Sequence, residues 1–319
     1  MGERRKSPWL APLRWLGRVL AYVVFNPLFE RLGAGGLVAP ESDGPIEPIA
    51  EQIKKGARVM WVGAHPDDES FCGSLLAYTS IACKSPLHFV VLTRGDGGGA
   101  AIPIPEGMTV ADVRAGELQK VAKLYNASLA LNSYYNAPLP VESFPKRHEL
   151  ARMWIDKEDP ALWIAREIRT FKPDIVLTFS PRYGATGHPE HQLTARFCLS
   201  AVRLAAEDNP ALEGEPFKVR NTYFVLMKYW FLRLGGMRRD PFPPTDQFVI
   251  KTPCDATRTC AQVGADNTLP HETQYPDMSA MRTATSLLHK QYLHWVDPWK
   301  VQYDPLEPVA KGGMGADMK

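Results

Sequence analysis

The chain is poor in cysteine, carries no excess of charge of either sign and has no long apolar run. Five cysteines in 319 residues are too few, and the wrong parity, for a disulfide framework. Lys and Arg total 37 against 35 Asp and Glu, a formal net charge of +2. That balance lacks the basic footprint of a nucleic-acid-binding protein, so no nucleic-acid partner is expected. A hydrophobic share of 45% excludes a disordered tail. A chain this long buries roughly three quarters of its unfolded surface. The N-terminal apolar stretch is uncharged only from Val19 to Phe29, well short of the roughly 20 residues a spanning helix needs. No G-x-S-x-G elbow is present, which disfavours a serine enzyme of the α/β-hydrolase kind. The glycine-rich run Arg94-Gly95-Asp96-Gly97-Gly98-Gly99 lacks a following Lys-Ser/Thr, which disfavours a P-loop.

What charge asymmetry there is lies at the N-terminus. Residues 1–35 hold six basic side chains and two acidic ones, a balance of +4 that leaves −2 for the rest. Arg14 and Arg18 lie four apart among Trp, Leu and Val, Pro12 suits a first helical turn, and Pro27 ends the pattern. A basic, Trp-bearing amphipathic helix of this kind lies in a membrane interface. A helix packed on the protein's own core is the alternative. Two arginines interrupting the apolar stretch speak against a secretory signal. The expectation is a cytoplasmic chain with an N-terminal amphipathic helix in residues 1–35, touching a membrane surface through residues 9–32.

Residues 36–57 are rich in Gly, Pro and acids and read as a linker, residues 58–300 as the main domain and 301–319 as a tail. Short apolar runs read as strands at Arg58–Gly63, Leu87–Thr93, Ala127–Tyr134, Asp174–Phe179 and Thr222–Met227. Phe248–Lys251 suits an edge strand. Helical patterns fall at Glu69–Cys83, Val110–Tyr125, Ala161–Phe171, His191–Glu207 and Ser279–Trp295, with Pro138–Asp159 a long mixed loop. Strands alternating with helices predict an α/β fold: a Rossmann-like, mostly parallel sheet with helices on both faces.

In such sheets ligands bind at the carboxyl ends of the strands. Two of these ends share one grammar of strand, loop, His-Pro-acid and helix. The first is Ala64-His65-Pro66-Asp67-Asp68-Glu69 and the second is Gly187-His188-Pro189-Glu190-His191. Pro followed by acids is also a good helix start with no chemistry required. If the two preceding strands are parallel neighbours, both loops open on one rim, and His65, Asp68 and His191 can converge. Two His and one carboxylate form a ligand set for catalytic zinc that leaves a position for water. Asp67 is then left beside the metal to take a proton from that water. His188, also left over, can donate to a leaving amine or stabilise an oxyanion if protonated.

The AHPDDE segment with the later GHPEH resembles the LmbE-like family of zinc-dependent deacetylases, which includes the N-acetylglucosaminyl-phosphatidylinositol de-N-acetylases. The resemblance spans roughly residues 56 to 225. It implies Zn2+, with another divalent metal also suited, on His65, Asp68 and His191, with Asp67 as general base and His188 as acid or electrostatic partner. It implies a glycine-rich loop lining the substrate site, here residues 94–99, and an Arg and Glu on the next helix, matched by Arg114 and Glu117. A helix-surface pair is the alternative for those two. The second motif departs from the family in having Glu190 where Asp is more frequent.

The function so implied is removal of an N-acetyl group from an N-acetylglucosamine-type sugar or glycolipid. The alternatives are a zinc amidase acting on another acyl-amide or thiol conjugate, and a non-catalytic membrane-surface binding protein on the same fold. Arg94, on the same predicted rim, can hold a sugar hydroxyl or phosphate through its fork of donors, and Asp96 beside it is a weaker candidate. Cys254 and Cys260 are close enough to pair across a short loop. His148-Glu149 and His271-Glu272 read as surface.

Overall fold

The computed structural model describes residues 37–40, 44–45, 47–140, 143–228 and 240–308. The N-terminal amphipathic helix therefore lies outside the described residues. A seven-stranded sheet forms the centre, in the order β3-β2-β1-β4-β5-β7-β6. The strands are β1 (Val59–Gly63), β2 (Leu87–Val91), β3 (Ser128–Leu131), β4 (Ile175–Thr178), β5 (Asn221–Leu226), β6 (Asp246–Val249) and β7 (Lys290–Val296). The first five pair in parallel, and β7 and β6 add antiparallel strands at one edge.

Four of the five parallel strands, β1, β2, β4 and β5, are buried on both faces. All five residues of β1 are buried, and alternate side chains serve opposite cores. Val59 and Trp61 join one core with residues of α1 (Ile49–Lys54), α2 (Gly73–Ala77), α3 (Val110–Leu124) and α7 (Cys260–Asp266). Met60 and Val62 join the other with α4 (Arg147–Lys157), α5 (Pro160–Phe171) and α6 (Pro189–Ala206). An eighth helix, α8 (Tyr275–Leu287), precedes β7.

The elements differ from expectation in four places. The stretch read as linker contains α1, whose Ile49 and Ile53 are fully buried. The mixed loop contains α4, an eleven-residue helix whose apolar anchors are few: Leu150, Ala151 and Trp154 are buried and most of the rest is charged. The single helix expected over Ser279–Trp295 is instead α8 followed by β7, since Tyr292, Leu293, Trp295 and Val296 enter the sheet. The helix expected from Glu69 begins as a 3-10 turn, Asp68–Cys72, and α2 runs on into a π turn, Tyr78–Ala82.

The arrangement places the functional loops. β1 and β4 are hydrogen-bonded neighbours, with Val59 opposite Ile175 and Trp61 opposite Leu177. The strand order reverses between them, so the loops after β1 and β4 flank the crevice where doubly wound folds bind ligands. Among the described residues no helix is long and apolar enough to cross a membrane.

Candidate active site

The two His-Pro loops meet. His65 Nδ1 lies 3.2 Å from His191 Nε2. Asp68 stands beside both rings, its Oδ1 3.0 Å from His191 Nε2 and its Oδ2 3.6 Å from His65 Nδ1. Ligands around a tetrahedral ion with bonds of roughly 2.0–2.1 Å sit about 3.4 Å apart. These three side chains have that spacing. His65, His188 and His191 also offer ring nitrogens that all lie within 4.8 Å of one another, so a metal ion can be held here.

The hydrogen bonds around the cluster select which atoms face its centre. His65 Nε2 is 2.5 Å from Glu190 Oε2. A carboxylate accepts, so Nε2 carries a proton, and Nδ1 is the nitrogen that faces the cluster and can ligate once it has lost its own proton. His191 Nδ1 donates to the carbonyl of Gly184 at 2.8 Å, which frees His191 Nε2 in the same way. Metal-binding histidines are commonly fixed by such partners. Asp68 Oδ2 accepts the backbone N–H groups of Ala64 (2.7 Å) and His65 (2.8 Å), leaving Oδ1 turned toward His191. Phe179, just beyond β4, stacks on the His191 ring at 4.2 Å and holds its plane.

Charge in the cluster follows this wiring. Burial works against protonating His65, but Asp68 and Glu190 outweigh it and raise the imidazole to about 10. Burial likewise opposes ionising Asp68, yet His191 and His65 hold that carboxyl well below its usual range. A pocket with two buried carboxylates against the rings favours positive charge at its centre. His188 is the exception. Burial, with His191 and His65 nearby, lowers its imidazole well below the ordinary value, so the ring is neutral. Its Nδ1 accepts the N–H of Glu190 at 3.3 Å, capping α6 with Pro189 in the first turn, so the neutral ring carries its hydrogen on Nε2. The second motif is thus both a helix start and part of the cluster.

Asp67 sits where the backbone is strained, with φ at 105° in the region that non-glycine residues avoid. Arg114, buried on α3, donates through Nη2 to Asp67 Oδ2 (2.9 Å) and to the Pro66 carbonyl (2.8 Å). Burial raises the Asp67 carboxyl to about 6, with Arg114 opposing. Arg114 and Glu117 are therefore not a surface pair. Both are buried, and Glu117 accepts the N–H and hydroxyl of Thr273 at 2.8 and 2.6 Å.

The glycine-rich loop packs on protein rather than framing an open cradle. Gly95 has φ +71°, and a Cβ there would stand 2.5 Å from the Arg114 guanidinium. Arg94, at the end of β2, turns to Asp112 (2.8 Å). It lines an open cavity of about 490 Å³ with Gln119, Leu131, Asn132 and Ser133, and none of the cluster histidines is in that lining. Asp96 is exposed in the turn.

Several side chains at the site were not singled out from the sequence. Glu190 was noted only as a departure, yet it orients His65. Asn136 Nδ2 and the N–H of Ala137 fix Glu190 in turn, each at 2.7 Å. His271 was read as surface and is buried against Glu69 at 2.7 Å. The signal for Glu190 was its place between two histidines. Asn136 and His271 had no local signal, since their partners are 54 and 202 residues away. The five cysteines are free thiols, Cys254 and Cys260 included.

Comparison with known proteins points to one family. The family model "PIG-L: GlcNAc-PI de-N-acetylase" matches residues 60–202, the span that carries both His-Pro motifs. Over residues 60–202 the chain is similar to that family. A 1D-myo-inositol 2-acetamido-2-deoxy-alpha-D-glucopyranoside deacetylase of Thermobifida fusca is 27% identical over 286 residues, covering 82% of this chain and 98% of that protein. A mycothiol S-conjugate amidase of Streptomyces coelicolor is 26% identical over 164 residues, covering 50% of this chain and 56% of that protein. Among solved structures, the N,N'-diacetylchitobiose deacetylase of Pyrococcus horikoshii superposes with a TM-score of 0.52 at 15% identity, covering 86% of this chain and 93% of the other. That likeness is one of fold.

Proposed function

We propose that this protein is a metal-dependent hydrolase that removes an N-acetyl group from a GlcNAc-type sugar conjugate. The observation that carries the reading is the meeting of His65 Nδ1 and His191 Nε2 at 3.2 Å, with the far nitrogen of each ring engaged by Glu190 or Gly184. Such wiring presents two lone pairs and one carboxylate oxygen to a common point. The substrate class is supported by the deacetylase named above, which this chain matches over 98% of that protein.

In this reading His65, Asp68 and His191 would hold zinc, and His188 would stand beside it rather than ligate it. Zinc bound there would supply Lewis-acid polarisation of the acetamide carbonyl and acidify water at the site. Asp67 is the general base. Arg114 holds its Oδ2, which leaves Oδ1 to take the proton of the attacking water. A carboxyl raised to about 6 is ionised at neutral pH yet basic enough to accept that proton. The neutral His188 donates its Nε2–H to the oxygen that gains negative charge as the tetrahedral centre forms. The proton held by Asp67 then passes to the nitrogen, the C–N bond breaks, and the free amine leaves together with acetic acid, which gives up its proton to the solvent as acetate.

The test is acetate release from N-acetylglucosaminyl conjugates by zinc-loaded protein. Asp67→Asn should lower kcat by roughly 10²–10⁴-fold at unchanged zinc content. Full activity in that variant would remove Asp67 from the base role. A second reading, hydrolysis of a larger acyl-amide in a thiol conjugate, is supported by the likeness to the amidase. Including such a conjugate in the substrate panel separates the two. Contact of residues 9–32 with a membrane surface stays a proposal drawn from their sequence.

A further inference from the structure

Behind Asp67 lies a second polar chain that the proposed reaction does not use directly. Glu69 is 1% exposed and spans two partners. Its Oε2 accepts the backbone N–H of Asp67 at 3.2 Å. Its Oε1 lies 2.7 Å from Nε2 of His271, a residue 202 positions later and 1% exposed. The other ring nitrogen of His271, Nδ1, has no hydrogen-bond partner among the described residues, so among them Glu69 is the polar anchor of that imidazole side chain.

The segment bearing His271 is itself tied to the site. Thr273 donates its N–H and its hydroxyl to Glu117, and its carbonyl accepts the N–H of Ala101 at 2.8 Å. Gln274 Nε2 donates to the Gly99 carbonyl at 2.8 Å. Residues 271–274 thus cross behind both the glycine-rich loop and α3, the helix that carries Arg114. Asp67 is gripped from two directions, its carboxylate by Arg114 and its amide by Glu69. Its φ of 105° needs such a grip, because a non-glycine residue leaves that region when its surroundings allow.

We infer that His271 is a positioning residue for the general base: through Glu69 it holds the Asp67 backbone in the strained conformation that aims the carboxylate at the substrate. The physical reason is the cost of an uncompensated buried carboxylate. With His271 in place Glu69 has a donor at each oxygen. Without it Oε1 is bare in a water-excluding site, and the side chain turns away. That change loosens the amide of Asp67. His271 touches neither substrate nor metal in this account.

The inference rests on Asp67 being the base, so the test carries a control for that reading. Wild type, Asp67→Asn, His271→Leu, His271→Gln, Glu69→Gln and the His271→Leu/Glu69→Gln double variant are compared. The readouts are kcat and KM for acetate release, bound zinc and thermal midpoint. His271→Leu should lower kcat at least tenfold, with KM within twofold and zinc stoichiometric. His271→Gln, whose amide N–H can replace Nε2–H, should restore most of that loss. The double variant should be no slower than the slower single variant, because both break one chain of contacts.

Three results overturn the inference alone. One is a His271→Leu variant that melts earlier or loses zinc while its residual folded, loaded fraction keeps wild-type kcat, which leaves His271 a purely structural residue. Another is additive losses in the double variant, which means that His271 does not act through Glu69. The third is a kcat unmoved by His271→Leu while Asp67→Asn abolishes turnover, which leaves the base reading intact. An Asp67→Asn variant as active as wild type, or a wild type that releases no acetate, sinks the base reading and this inference with it.

Discussion

Glu190→Gln tests how the metal centre is wired. In the wild type Glu190 Oε2 is shared by His65 Nε2 (2.5 Å) and Asn136 Nδ2 (2.7 Å), and Oε1 accepts the N–H of Ala137 at 2.7 Å. Glutamine has the same shape but one oxygen. If that oxygen keeps the Ala137 amide, the new NH2 group faces both His65 Nε2 and the Asn136 amide. His65 must then turn a lone pair toward the amide and put its proton on Nδ1, the atom 3.2 Å from His191 Nε2. That tautomer cannot ligate. Loss of such an orienting partner costs roughly 10–100-fold in metal affinity, about 1.4–2.7 kcal/mol. The assay is zinc affinity by competition with a chromophoric chelator at fixed pH, with circular dichroism to verify the fold. Glu190→Asp, which keeps a carboxylate but shortens the reach, should fall between wild type and Gln. A Glu190→Gln protein binding zinc within twofold of wild type would refute the assignment of Nδ1 as the ligating atom.

Two further outcomes are expected. Burial raises the carboxyl of Asp240 to about 6, with the N–H of Phe242 opposing. Above pH ~4 the unfolded chain releases a proton that the folded protein keeps, so stability falls as pH rises from ~4 to ~6 and stays lowered beyond. The loss is roughly 2–3 kcal/mol, so Asp240→Asn should gain most of that at pH 8 and little at pH 4 in urea titrations; equal effects at both pH values would contradict the shift. Removing residues 1–32 should abolish co-sedimentation with anionic lipid vesicles while turnover of a soluble N-acetylated sugar is kept, and unchanged sedimentation would point to the core-packing alternative.

The departures from the expected secondary structure share a cause. α4 and β7 are stabilised by what they touch, not by their own periodicity. Leu150, Ala151 and Trp154 of α4 fill the core beside α5 and α6. β7 is buried on both faces, so its residues show no alternation to set it apart from the helix before it. The same holds for α1, six residues whose Ile49 and Ile53 act only because a sheet lies beneath them. The strands β1, β2, β4 and β5 were legible because parallel strands buried on both faces read as continuous apolar runs.

The amino-acid order alone determined the chemistry on offer: His65, Asp67, Asp68, His188 and His191 stand in two short motifs, each following an apolar strand. Pairing of β1 with β4 is what made those motifs one site, since sequence spacing places them more than 120 residues apart. Only the tertiary structure decided which nitrogen of each ring is free, because that depends on Glu190, Gly184 and Asn136 arriving at the far side of the rings. It also drew in His271 and Thr273 from near the C-terminus and turned Arg94 outward to Asp112. Hydrogen-bond partners of a buried polar group are chosen by distance in space, and no local pattern in a chain records that distance.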